Sequence, residues 1–175
     1  MDTNVNNQED KQFEERVISV DRVARVVKGG RRFRFRALVV IGDNKSKVGV
    51  GVSKGADVTT AVSKAVEVAK KNLITISISN GTIPHDTSAK VGGANILILP
   101  AAQGTGLIAG GVVRSVLEVG GVSNALSKSL GSTNKINLAY ATINALNDLV
   151  PKSKWVNHSV KSEKTSKSLP RGKKS

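Results

Sequence analysis

The chain has no cysteine, which excludes disulfides and thiolate metal sites and fits a reducing compartment. Its aromatic residues are three Phe, one Trp and one Tyr, 3% of the sequence, so base stacking is not its main way of holding a ligand. No run approaches the roughly 18–20 apolar residues that a membrane span needs. Nor does any basic amphipathic helix set bulky apolar residues opposite its charges, as a membrane-surface anchor would. The polar, acidic start MDTNVNNQEDKQFEE is unlike a signal or transit peptide. Acid–base machinery is equally scarce. The two histidines, His85 and His158, have neither a nucleophile beside them nor metal-ligand spacing, and only Asp86, Glu118 and Asp148 are acidic between residues 72 and 150. These absences predict a soluble cytoplasmic chain with no catalytic residues, no metal, no cofactor, no small-molecule substrate and no membrane partner.

What the chain has in abundance is positive charge. Its formal net charge is +14, with a sequence pI near 10.3. Residues 1–15 carry −4, residues 16–71 carry +10, residues 72–150 carry +1 and residues 151–175 carry +7. A basic segment, a near-neutral segment and a basic tail point to a polyanionic partner. Each neutralised phosphate releases counterions, so such binding is steeply salt-dependent.

The charge is densest in RVARVVKGGRRFRFR, Arg22–Arg36, where seven of fifteen residues are basic and all but one of these is Arg. Two strand-like runs, Val17–Val27 and Arg32–Ile41, meet at Gly29-Gly30, a hairpin signal because type I′ turns need positive φ at both central residues. Guanidinium forks match phosphate oxygens. The candidate RNA contacts are Arg22, Arg25, Lys28, Gly29, Gly30, Arg31, Arg32, Arg34 and Arg36, with Lys54 and Lys64 further on. Phe33 and Phe35 alternate with Ala37, Val39 and Ile41, which predicts that they are core residues and not base stackers. A turn at Gly42–Ser46 leads to a third strand, in which Val48, Val50 and Val52 alternate with Gly49 and Gly51. Asp57 is placed to cap a helix whose Val58, Ala61, Val62, Ala65, Val66 and Ala69 recur at helical spacing. Residues 16–72 therefore read as a three-stranded antiparallel sheet with one helix, preceded by a disordered acidic segment, residues 1–15.

Residues 73–150 read as a second α+β unit. Leu73–Ser79 and Ala94–Leu99 are its expected strands, with Pro84–Gly93 a loop between them. Helices are expected over Leu107–Val119, Val122–Leu130 and Ile136–Leu149, the last capped by Ser132-Thr133-Asn134. The Gly104-x-Gly106-x-x-Ala109 spacing matches a dinucleotide fingerprint, but no parallel strand ending in an acid follows. Gly106, Gly110 and Gly111 would each cost about 1 kcal/mol within a helix, which suggests close backbone approach by a neighbour. The candidate protein interface is Gly104, Thr105, Gly106, Gly110, Gly111 and Arg114. Residues 151–175, rich in Lys and Ser, are expected to be a disordered tail in which Trp155 could anchor to a surface.

The segments RVARVVKGGRRFRFRALVVIGD, KVGVGVSKG, NGTIPH, PAAQGTGLIAGGVVRSVLEVGGV and LSKSLGSTNKINLAYATINAL, in that order and spacing, resemble the universal small-subunit ribosomal protein five family of bacterial type. The resemblance covers residues 16–149 and implies a double-stranded-RNA-binding-like domain followed by a C-terminal α+β domain. It further implies a structural role in the small ribosomal subunit, on 16S ribosomal RNA beside proteins four and eight. In the family the hairpin loop, Val27 to Arg32 here, reaches toward the head–body junction where spectinomycin acts. The stretch matching Gly104–Arg114 borders protein four, and members sit near the messenger entry channel and influence decoding accuracy. The chain departs from the family at Asn44, Ser46 and Ser53, where glycine is usual, and at Asn95 and Leu99, where Lys or Arg is usual.

Overall fold

The computed structural model describes residues 13–155. Within them, three long strands and a helix come first: β1 (Glu14–Val27), β2 (Gly30–Gly42), β3 (Lys47–Gly55) and α1 (Val58–Lys71). A short strand β4 (Leu73–Thr75) follows, and the sheet has the order β1-β2-β3-β4, every pair antiparallel. The strand expected to open the second unit thus pairs with β3 as the fourth strand of the first sheet. Glu14 and Glu15, expected in the disordered lead, pair with Gly42 and Ile41 in β1; the remainder of that segment lies outside the described residues.

Alternation in β2 and β3 sorts two cores. Ala37, Val39 and Ile41 face α1 and bury against Ala61, Ala65, Val66 and Ala69. The same face of β3 presents Gly49, Gly51 and Gly55, where an added Cβ would meet backbone of Ala69, Ala65 and Ala61. Alanine every fourth residue on the helix and glycine at three alternate positions of the strand, interrupted by Ser53, let the two backbones approach closely. On the opposite face Leu38, Val40, Val48 and Val50 join a larger cluster with Val116, Leu117, Val119, Leu146 and Leu149. The root of β2 is therefore buried on both sides, between α1 and the second half of the chain.

That second half is built from β5 (Thr87–Val91), β6 (Ala94–Pro100), β7 (Leu107–Ile108), α2 (Gly111–Val119), β8 (Ala125–Ser129) and α3 (Lys135–Asn147). Its sheet has the order β5-β6-β8-β7, antiparallel except for the parallel β7–β8 pair. Three sequence expectations are corrected here. The Pro84–Gly93 loop contains β5, which turns at Gly92 (φ 57°) into β6. The helix expected over Val122–Leu130 is strand β8, because a short apolar run carries no decisive period and pairing with β6 decides it. Leu107 and Ile108 form a strand, so α2 starts only at Gly111. Asn134 caps α3 as expected, accepting from the Ile136 N–H at 3.1 Å. Asp57 occupies the N-cap position of α1 but makes no side-chain cap bond.

Candidate nucleic-acid interface

β3 ends at Gly55, opposite Phe35, whereas β1 and β2 continue for five more pairs, from Val23↔Arg34 to Val27↔Gly30. At about 3.4 Å per residue this two-stranded ribbon projects roughly 17 Å past the sheet. The tip corrects the turn prediction. Val27 pairs with Gly30, so the loop residues are Lys28 and Gly29, and only Gly29 (φ 91°) is left-handed. A single positive φ at the second central position belongs to a type II turn, not to type I′.

Register places the candidate residues on two faces. Arg25 lies opposite Arg32, Val23 opposite Arg34 and Asp21 opposite Arg36, while Arg36 also pairs with Lys54 of β3. Arg25, Arg32, Arg34 and Lys54 line one groove, floored by Val23, Ala24 and Val27. Like-charged guanidinium groups directly opposite each other disfavour the ribbon in isolation. Among the described residues no acid pairs with any of these four. Arg36 differs: it is half-buried and gives one N–H to Asp21 at 2.9 Å. Its role is at least partly internal. Arg22 and Arg31 project from the other face, Lys28 tops the turn, and Lys64 stands on the exposed side of α1, outside the groove.

The two phenylalanines part company. Phe35 packs against the α1 core, whereas Phe33 is 49% exposed, with the Arg22 guanidinium carbon 3.8 Å from its ring centroid. The expectation of a core Phe33 fails because α1 and β3 both stop short of it. Val26, which alternation alone would also have buried, is 77% exposed. An apolar, aromatic and cationic ribbon tip is suited to a nucleic-acid surface, where the Phe33–Arg22 stack supplies a flat cation.

The ribbon is anchored at its root. Arg16 of β1 donates to Glu118 of α2 and to Glu14, and Arg114 reaches the same Glu118 at 2.9 Å. Arg114 and then Arg16 hold the Glu118 carboxyl below its ordinary value, against the opposing effect of burial. At the β2–β3 turn burial alone would raise Asp43, but N–H groups of Ser46, Lys47 and Lys45 together outweigh it and depress its pKa. Asn44 there is left-handed (φ 56°), a conformation that glycine adopts freely and that Asn tolerates better than most other residues.

The glycine loop before α2 is held differently. Asn124 is buried, and its side-chain oxygen accepts the N–H groups of Gly104 (3.1 Å) and Gly106 (3.0 Å). Both glycines are left-handed, at φ 90° and 73°. A Cβ added at Gly104, Gly106, Gly110 or Gly111 would meet nothing within 4 Å. Gly110 is the N-cap of α2 and Gly111 its first residue, so these glycines do not share one helix, and among the described residues no backbone packs on them. Thr105 is exposed beside them, and Arg114 is exposed one turn into α2. The loop leads into β7 and not into a helix N-terminus, which removes the dinucleotide-binding geometry.

His85 proves to be structural. Its Nε2 accepts the Val150 N–H at 3.0 Å, which leaves the hydrogen on Nδ1, 2.6 Å from the Asp86 carbonyl oxygen. Trp155 leans against it, with ring centroids 6.4 Å apart. Residues 151–155, expected within the disordered tail, therefore follow an ordered course through a 3₁₀ turn at Lys152–Lys154.

Comparison with known proteins agrees with this architecture. Residues 13–77 match the family described as ribosomal protein S5, N-terminal domain, and residues 89–154 match ribosomal protein S5, C-terminal domain. A protein of Treponema pallidum named small ribosomal subunit protein uS5 is 50% identical over 141 residues, 81% of this chain and 82% of its own length. Its namesake in Treponema denticola is 47% identical over 140 residues (80% and 81%), and that of Thermotoga petrophila is 46% identical over 140 residues (80% and 79%). Fold and relatives together define a structural, non-enzymatic component of the small ribosomal subunit, and hence a cytoplasmic ribonucleoprotein constituent. The chain belongs to the ribosomal protein S5 family.

Proposed function

We propose that this chain binds 16S ribosomal RNA through the β1–β2 ribbon and positions converging RNA segments during assembly of the small subunit. The observation that carries this reading is the ribbon itself. Five strand pairs extend past β3 with Arg25, Arg31, Arg32 and Arg34 on them and without an acid partner among the described residues. A two-stranded ribbon is marginal in water, and like charges along it make it more so. Phosphate on both faces relieves that repulsion and gives the guanidinium forks their acceptors. Influence on translational accuracy near the messenger entry channel follows from the family resemblance and from the reach of the ribbon. The exposed loop Gly104–Gly111 with Arg114 is the surface assigned to protein four. Contact with protein eight rests on the resemblance alone.

Replacing Arg31 and Arg32 together by Glu puts one negative charge on each ribbon face without touching either core. The variant is expected to lose most of its affinity for a 16S ribosomal RNA transcript at moderate salt and to fail to co-sediment with small subunits. Wild-type RNA binding, subunit assembly and decoding accuracy in this variant would overturn the reading.

A further inference from the structure

A second groove lies between the β2–β3 turn and the C-terminal run, with Lys45, Ser46, Thr75, Ser77, Ser79 and Lys152 as its polar lining beside four Ile and Pro residues. It shares no residue with the ribbon groove, and among the described residues no Asp or Glu lines it. The backbone that carries each lysine is fixed on its own side. The N–H groups of Lys45, Ser46 and Lys47 converge on Asp43 Oδ1 at 2.8–2.9 Å, which fixes the turn. The Ile76 N–H meets the Ser46 carbonyl oxygen at 2.7 Å and closes the floor between turn and groove. On the other side, Lys152 begins the 3₁₀ turn whose root is pinned by the Val150 N–H on His85 and by Trp155 Nε1 on the Val150 carbonyl oxygen at 3.3 Å.

We infer that this groove is a second RNA-phosphate site, in which Lys45 and Lys152 supply the charge and His85 is a positioning residue for Lys152. The inference rests on the RNA-binding reading above. Two ammonium groups drawn from residues more than a hundred positions apart, with Ser and Thr hydroxyls between them and no acid, offer donors and no anionic acceptor. A groove open along its length suits a phosphate backbone, to which Lys, Ser and Thr are ordinary contacts. The sequence continuing from it, residues 156–175, carries six basic residues and one acid, which extends the same preference.

The test uses the full-length chain and a 16S ribosomal RNA transcript, with log Kobs measured against log salt. Each lost phosphate contact lowers the slope by about 0.7 on a single strand and about 0.9 on a B-form duplex, so Lys45→Gln with Lys152→Gln is expected to lower it by about twice a value in that range. His85→Ala, which removes no lysine, is expected to lose the share due to Lys152, and His85→Gln, which keeps an acceptor for the Val150 N–H, to restore it. Arg31→Glu with Arg32→Glu runs beside them. If that pair alone changes binding while the lysine pair matches wild type, the groove inference falls and the ribbon reading stands. If the lysine pair binds RNA normally but incorporates poorly into subunits, the groove is a protein contact and the inference is overturned. A His85→Ala slope equal to wild type removes the positioning role.

Discussion

β3 and the loop between β6 and α2 are both rich in glycine, and they use it in opposite ways. In β3 a side chain at Gly49, Gly51 or Gly55 would strike the backbone of α1, whereas at Gly104, Gly106, Gly110 or Gly111 it would enter open space. The first set is consumed by the fold: it sets how near the helix lies to the sheet and thereby holds the root of β2 between its two cores. Backbone conformation accounts for two of the second set, since Gly104 and Gly106 are left-handed. Gly110 and Gly111 have neither reason. Glycine that neither packing nor conformation requires leaves room for the neighbour proposed to lie against this loop.

Substitutions grade that contrast. Gly51→Ala puts a methyl group into the Ala65 carbonyl oxygen and within 2.7 Å of the Ala69 N–H nitrogen. It should destabilise by about 3 kcal/mol, the upper end of what overpacking costs, because backbone cannot rotate away as a side chain can. Equilibrium urea unfolding measures this, and a midpoint unchanged from wild type would show that α1 floats on β3 and is not seated there. Gly106→Ala meets no atom but must hold φ near 73°, which costs an L-residue about 1 kcal/mol. A loss as large as that of Gly51→Ala would erase the distinction between the two regions.

How far these regions were legible in the sequence follows the strength of local periodicity. The valine–glycine alternation of β3, the four-residue alanine spacing of α1 and the Asn134 cap of α3 each identified their elements, since local pattern and tertiary packing agree there. Val122–Leu130 misled because its apolar residues fit either period over so short a span, and strand pairing with a distant β6 decided the matter. Phe33 misled differently. Its alternation with Phe35, Ala37 and Val39 is perfect, but alternation states which face a residue shares and not how far the covering helix extends. The basic residues of the ribbon were legible from charge alone, whereas the Asn124 side chain that organises the glycine loop gave no signal: a single Asn in an apolar stretch has no period. The Val150–His85 bond joins residues 65 positions apart, and only the folded chain brings them together.

Gly111→Leu is the smallest expected perturbation of the isolated protein and the sharpest test of what the open glycines are for. Position 111 is the first residue of α2, is exposed and has nothing within 4 Å of an added Cβ. Leucine there relieves the entropic cost of glycine in a helix, and its Cβ meets no clash, so stability should stay within about 0.5 kcal/mol of wild type or rise slightly. Incorporation into small subunits, measured in competition with the wild-type chain, should nevertheless fall, because the bulk stands where a neighbouring protein is proposed to lie against the loop. The pairing of outcomes matters more than either alone. Equal incorporation at equal stability would mean that the surface is free in the assembled subunit. A fall in stability that alone accounts for poor incorporation would mean that the glycine serves the fold after all, and the contrast with β3 would disappear.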